Sequence, residues 1–176
     1  MVGTSTGDAA IDTVLDLLDT VGGATFTASY QATLKFGGIV SAATVTQNGA
    51  RRSVTIGQVR FIDDGSSSRT CALDTSICES GVQAARVSDT GLTPEFAFGD
   101  MAKRLRRDAT ARIGPSTASV DDIAGTTATC VEIALSGGTK QYCVLDDGAV
   151  ARFRGADIDL DLISHLSSPD ESLFTP

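Results

Sequence analysis

Hydrophobic residues in this chain recur mainly at every second position. From Phe26 to Phe36 the even positions carry Phe26, Ala28, Tyr30, Ala32, Leu34 and Phe36, while the odd ones carry Thr25, Thr27, Ser29, Gln31, Thr33 and Lys35. A period of two belongs to a half-buried strand and not to a helix. Asn48 and Gly49 form a strong hairpin signal, which joins the run Ile39 to Gln47 with the run Ala50 to Phe61. Past Ile56 the apolar residues resume at Val59 and Phe61, a change of parity that predicts a bulge at Gly57 and Gln58. A turn at Asp63, Asp64, Gly65 and Ser66 then leads into a loop closed by Cys71 and Cys78.

The carboxy-terminal half repeats this style. Two β-branched runs, Thr126 to Leu135 and Thr139 to Asp146, flank Ser136, Gly137 and Gly138. A two-residue loop at Ser136 and Gly137 sets Leu135 opposite Gly138 and, counting outward, Cys130 opposite Cys143. In a non-hydrogen-bonded antiparallel pair the Cα atoms lie about 4.5 Å apart, close enough for a disulfide. Asp147 and Gly148 make the next hairpin, with Leu145 opposite Val150, Cys143 opposite Arg152 and Tyr142 opposite Phe153. One face of this meander carries Val131, Ile133, Leu135, Tyr142, Val144, Ala151 and Phe153. The other carries Glu132, Gln141, Arg152, Arg154 and both cysteines, and a slip of one residue would invert every assignment. Ala156, Ile158, Leu160 and Leu162 alternate with Asp157, Asp159 and Asp161 in a further strand whose aspartates are expected to face water and discourage edge pairing.

Helical spacing is confined to two places. Ile11, Val14, Leu15, Leu18 and Val21 share one stripe between Asp8 and Val21, with Gly22 just beyond. A second helix is expected from Thr93 or Gly99 to Ala111, with Pro94 suited to its first position and Met101 and Leu105 on its buried side. Its Lys103 to Arg107 stretch is a lone basic turn in a chain of net charge −8. With no wider basic field around it, a solvated helix face is expected and nucleic acid is excluded as a partner.

At 176 residues the chain is the size of one domain. Its longest apolar runs fall short of the roughly 18 residues a membrane span needs, and its start does not read as a secretory signal. Four cysteines in two closely spaced pairs nevertheless suit an oxidising compartment. Both facts fit if residues 1–7 are linker or cloning-derived and a native signal or membrane anchor preceded them, and if 164–176 form a tail. The expected location is therefore extracytoplasmic, secreted or anchored. Zinc competes for the four cysteines, but the spacings within each pair exceed the usual two to four residues.

Catalysis has little to stand on. The one histidine, His165, follows the last strand in a Ser-rich stretch and reads as a surface residue, with no nucleophile tied to it by spacing. A hydrolase built around it is the weakest reading. The acidic doublets Asp63 with Asp64, Asp121 with Asp122 and Asp146 with Asp147 are turn chemistry. No cofactor, metal or catalytic residue is indicated.

The order of elements is similar to that of the LolA-like half-barrel family, which includes lipoprotein carriers and actinobacterial lipid-binding lipoproteins. The resemblance rests on the amphipathic helix, the strand Phe26 to Leu34, the turn at Asn48 and Gly49, the hairpin from Cys130 to Tyr142 and Cys143, the Asp147-Gly148 turn, and the end Glu171-Ser172-Leu173-Phe174-Thr175-Pro176. Two departures are the lack of a lipid-attachment cysteine at the start and an aromatic content of only 5%. The resemblance implies an α+β fold, a strongly curved antiparallel sheet with an N-terminal and a central helix packed on its concave side. It implies non-enzymatic binding of an acyl chain, a lipid or a lipidated partner in an apolar trough lined by Phe26, Tyr30, Leu34, Phe36, Ile133, Leu135, Val144 and Phe153. The alternative is a sensing or interaction domain with a filled core that binds a cell-envelope protein. In either case the Cys130–Cys143 bridge lies on the face opposite the trough.

Overall fold

This computed structural model describes residues 5–176. Two antiparallel meanders form one sheet. The first runs β1 (Thr25–Leu34), β2 (Ile39–Asn48), β3 (Arg51–Ile56), β4 (Val59–Asp63), β5 (Ser68–Ala72) and β6 (Ile77–Ser80). The second runs β7 (Thr117–Ile123), β8 (Thr126–Leu135), β9 (Gly138–Val144), β10 (Val150–Arg154) and β11 (Ile158–Leu166). Pairing of β11 with β1 joins them into an 11-stranded curved sheet of order β6-β5-β4-β3-β2-β1-β11-β10-β9-β8-β7, a half-barrel. Helix α1 (Ala9–Thr20) precedes the first meander, and α2 (Ala84–Thr90) and α3 (Gly99–Ala111) connect the two.

Local chemistry sets these boundaries. Asp8 caps α1 by accepting hydrogen bonds from the N–H groups of Ala10 and Ile11, which otherwise lack intrahelical partners. Ser5 and Thr6 hydrogen-bond to the Asp12 carboxylate in the first turn. Residues 1–4 of the expected linker lie outside the described residues. Ile11, Val14, Leu15 and Leu18 are buried as the stripe predicts. Helix α3 starts at Gly99, with Pro94 in the preceding turns, and buries Met101, Ala102, Leu105 and Ala109.

The predicted registers hold at Cys130 with Cys143, Leu135 with Gly138, Cys143 with Arg152 and Tyr142 with Phe153. A register shift follows at Val150, which pairs with Val144 and not with Leu145. The Asn48-Gly49 hairpin turns one residue later than expected, on Gly49 and Ala50, with Asn48 opposite Arg51. At Gly57 and Gln58 there is no bulge. Ile56 pairs with Val59, Gly57 adopts φ 56°, and the parity change marks a two-residue hairpin loop between β3 and β4. The loop between Cys71 and Cys78 is likewise a hairpin, its cysteines directly paired on β5 and β6. The chain expected as a tail from 164 completes β11 through Leu166, then forms a 3-10 turn at Glu171–Phe174.

The core lies between the concave face of the sheet and the pair α1 and α3. Tyr142 reaches Asp108 of α3 from that face, and Phe26 and Tyr30 pack beside Phe98 and Phe96 of the segment leading into α3. Burying a large apolar side chain contributes about 1.5–3 kcal/mol, so this continuous layer dominates the stability of the fold. The opposite, outer face carries a web of charges on its β7–β11 half. Arg152 pairs with Asp121 and, at 3.9 Å, with Asp161, which also meets Arg154. The aspartates expected to face water are thus ion-paired, Asp159 with Lys35 and Asp157 with Arg104.

Candidate functional site at the open end of the half-barrel

The residues expected to line a trough separate into two groups. Phe26, Ile133 and Phe153 are fully buried, and Tyr30 and Val144 nearly so, all within the layer beneath the helices. Leu34, Leu135 and Phe36 lie at strand ends. Strand β1 stops at Leu34 because Gly37 and Gly38 turn the chain with positive φ, and Phe36 sits in that turn, 95% exposed. The alternation that placed Phe36 on the concave face runs two residues past the strand.

A cleft of about 290 Å³ opens at this end of the sheet. Leu34, Ile39, Ile56 and Val59 supply its apolar wall, and Ser88, Asp89, Thr90 and Gly91 from the end of α2 supply its polar side. Helix α2 buries none of its residues. It terminates on Gly91 in the left-handed conformation, where a Cβ would come within 2.6 Å of Leu34 Cδ1, so only glycine lets the helix end close this tightly over Leu34. Leu34 and Gly91 also border a smaller space of about 90 Å³ that reaches Phe96, Met101 and Ile158. Ile39, which lines the cleft, is more than half exposed and Phe36 in the adjoining turn almost wholly so, while Val40, paired with Thr33, lies on the outer face of the sheet. Leu135 is half-buried and borders a larger, more polar cavity of about 460 Å³ formed with Lys35, Gly155 and the Ser136–Gly138 turn.

Titratable groups gather at the other end and along α3. His165 stands on β11 opposite Ala28, its side chain only 9% exposed, stacked on Phe26 with Nε2 2.8 Å from Asp147 Oδ2. It is a packed interior residue and not the surface residue that its Ser-rich surroundings suggest. Burial opposes ionisation of Asp147, but the hydrogen bonds from His165 and the Ala149 N–H outweigh it and hold the carboxyl below its ordinary pKa. Burial, reinforced by the Asp147 charge, pushes the Tyr30 phenol well above its usual value, and its hydroxyl has no hydrogen-bond partner. Asp108 joins α3 to β9 by accepting from both Lys140 and the Tyr142 hydroxyl. Burial and Asp108 raise the Tyr142 pKa. The basic turn of α3 is tied down as well, Arg104 to Asp157 and Arg106 to Asp19 of α1. These groups lock elements together.

Both disulfides are formed, and each bridges the outer face of a hairpin. Cys130 and Cys143 are 1% exposed, so the staple is on the predicted side but buried beneath the Arg152–Asp121 pair. Among the described residues, Asp121 with Cys130 and Cys143 is the one group close enough to ligate a metal, and its sulfurs are consumed by the bridge.

No protein-family model and no curated protein matches the sequence. Solved structures do match in fold. MucB aligns over 97% of this chain and 64% of its own at 10% identity, with a TM-score of 0.57. The MucA/MucB complex of Pseudomonas aeruginosa aligns over 93% of this chain and 61% of that one, with 10% identity and a TM-score of 0.54. An uncharacterized conserved protein from Thermus thermophilus aligns over 91% and 88%, with 10% identity and a TM-score of 0.53. This chain spans about three fifths of the MucB chains. At these identities the likeness is one of architecture, and the half-barrel that the family resemblance implied is the fold of this chain.

Proposed function

We propose that this chain is a non-enzymatic, extracytoplasmic binding domain of the LolA-like kind, which takes an acyl chain or the apolar group of a lipidated partner at the open end of its half-barrel. The observation that carries this reading is a cleft walled by Leu34, Ile39, Ile56 and Val59, whose edge at Ile39 is more than half exposed next to the turn that carries Phe36. Each methylene buried there contributes about 0.8 kcal/mol, so binding needs no reacting group. The two disulfides favour an oxidising compartment. The trough expected under Phe26, Tyr30, Ile133, Val144 and Phe153 contracts to this mouth, because α1 and α3 occupy the concave face.

That filled core favours a second reading, an interaction domain for a cell-envelope protein. MucB, which has the same fold, is found in complex with MucA, in keeping with such a partner. Native mass spectrometry of the purified chain and displacement of an environment-sensitive apolar dye by a fatty acid separate the two. Saturable displacement that weakens in Ile39→Asp, a cleft-lining residue that is more than half exposed, supports the mouth site. A folded protein that takes up neither dye nor fatty acid removes the acyl-chain reading and leaves the second.

A further inference from the structure

The outer face of β1 to β5 is covered by residues 168–175, and the way it holds them is that of a peptide site. Thr27 Oγ1 donates to the carbonyl of Ser168, and the Asp170 N–H donates to Thr27 Oγ1 and Thr46 Oγ1. Asp170 then caps the short turn through the Ser172 N–H. Asn48 Nδ2 and Arg51 Nη1 each reach one oxygen of Glu171 at 3.1 Å. Phe174 is the one buried side chain of the turn, and the Arg51 guanidinium lies 4.1 Å over its ring. Arg69 and Arg60 donate to the carbonyls of Phe174 and Thr175.

Three arginines from three neighbouring strands therefore converge on one carboxylate, one ring and two main-chain carbonyls, on a chain whose net charge is −8. Recognition of a turn by an acidic group, an aromatic anchor three residues later and captured carbonyls is how short segments are bound in trans. Around its buried Phe174 the segment is open to solvent. Glu171, Ser172, Thr175 and Pro176 are exposed, the Arg51–Glu171 pair is open to solvent on both sides, and residues 167–170 make no strand pairing. The buried Ser53 hydroxyl, on the same face of β3 as Arg51, has no hydrogen-bond partner, so this half of the sheet keeps donor capacity that residues 168–175 leave unused.

We propose that the outer face of β1–β5 is a peptide-binding site, occupied here in cis by residues 168–175, whose partner in trans is a protein segment carrying an acidic residue three positions before a phenylalanine. The site is separate from the mouth of the half-barrel and stands whether or not that mouth takes an acyl chain.

The test uses the full chain, its Phe174→Ala variant, and a fluorescein-labelled peptide of residues 167–176 as probe. Hydrogen exchange should show residues 167–175 opening at least tenfold more often than β1 and β11 in the wild type, and losing protection in Phe174→Ala while the sheet keeps it. Fluorescence anisotropy should give saturable micromolar binding of the peptide to Phe174→Ala and at least tenfold weaker apparent binding to the wild type, whose site is filled. Adding Arg51→Glu should weaken binding tenfold, and a peptide with Glu171→Arg should recover it. A folded Phe174→Ala protein that does not bind the peptide overturns the proposal. So does global unfolding of that variant, which would make the segment an integral part of the fold. Concentration-dependent dimers of the wild type, cross-linked through residues 167–175, would assign the site to a second copy and overturn the partner-segment proposal.

Discussion

His165 and Asp147 bring the end of β11 and the β9–β10 turn together over Phe26. Because Asp147 titrates below its ordinary value in the folded chain, the unfolded chain binds more protons in that range, so stability rises with pH there. Its contribution is complete above the unfolded value of about 3.9 and is lost as pH falls through the lower folded value. Asp8, held down by its Ser116 hydrogen bond, and Asp157, where Arg104 outweighs burial, act with the same sign. The melting temperature should be flat above about pH 5 and fall below about pH 4, with a shallower fall in Asp147→Asn; an unchanged acid slope in that variant would remove Asp147 from this account. Next to it, Gly148 has φ 85°, and a Cβ there would collide with the Leu17 carbonyl and lie 2.7 Å from Val21 N at the end of α1. Gly148→Ala should therefore cost about 3 kcal/mol, from the left-handed backbone and the forced retreat of α1. Chemical denaturation of the variant measures this, and a loss below about 1 kcal/mol would mean that the turn does not need its close approach to the helix.

Hairpins were the elements most legible from sequence, since a short turn and an alternating pattern constrain each other. Ser136-Gly137 and Asp147-Gly148 placed Cys130, Cys143, Arg152, Tyr142 and Phe153 correctly, and α1 was readable from its apolar stripe, though its Asp8 cap was not. Gly57-Gln58 was misread because a parity change follows equally from one extra residue in a strand or from a tight reversal between two strands, and only the partner of Ile56 decides. Strand β7 and helix α2 left no signal. β7 is exposed along most of its length and α2 buries nothing, so neither has the period that burial imprints. At this scale the Cys130–Cys143 bridge closes a loop of 13 residues, and replacing both cysteines by alanine should cost about 3 kcal/mol by release of chain entropy. The bridge lies on the outer face, so dye uptake at the mouth should be unchanged when measured below the lowered melting temperature. Loss of uptake in a variant that stays folded would mean that the hairpin staple shapes the mouth.

Across the whole molecule, alternation reveals which face of a sheet is apolar but not what covers it. Phe26, Tyr30, Ile133, Val144 and Phe153 have the same spacing whether they line an empty trough or pack against helices, and the covering residues, Leu15, Leu18, Phe96, Phe98, Met101 and Leu105, lie far away in sequence. His165 was misplaced for the same reason, since its partners Asp147 and Phe26 come from the distant β9–β10 turn and the start of β1. A filled core and an apolar rim assign opposite roles to two phenylalanines. Phe153 is fully buried and should carry stability without ligand contact, so Phe153→Ala should cost about 3–5 kcal/mol while the folded fraction still takes up an apolar dye. Phe36, 95% exposed on the rim, should carry the reverse. Phe36→Ser combined with Ile39→Ser should change stability by no more than about 1 kcal/mol, as substitutions of exposed residues do, and weaken dye uptake severalfold. Paired denaturation and dye titrations read both quantities on the same samples. If uptake instead fails in Phe153→Ala and survives loss of the rim, the ligand enters between sheet and helices, and α1 and α3 must move apart to admit it.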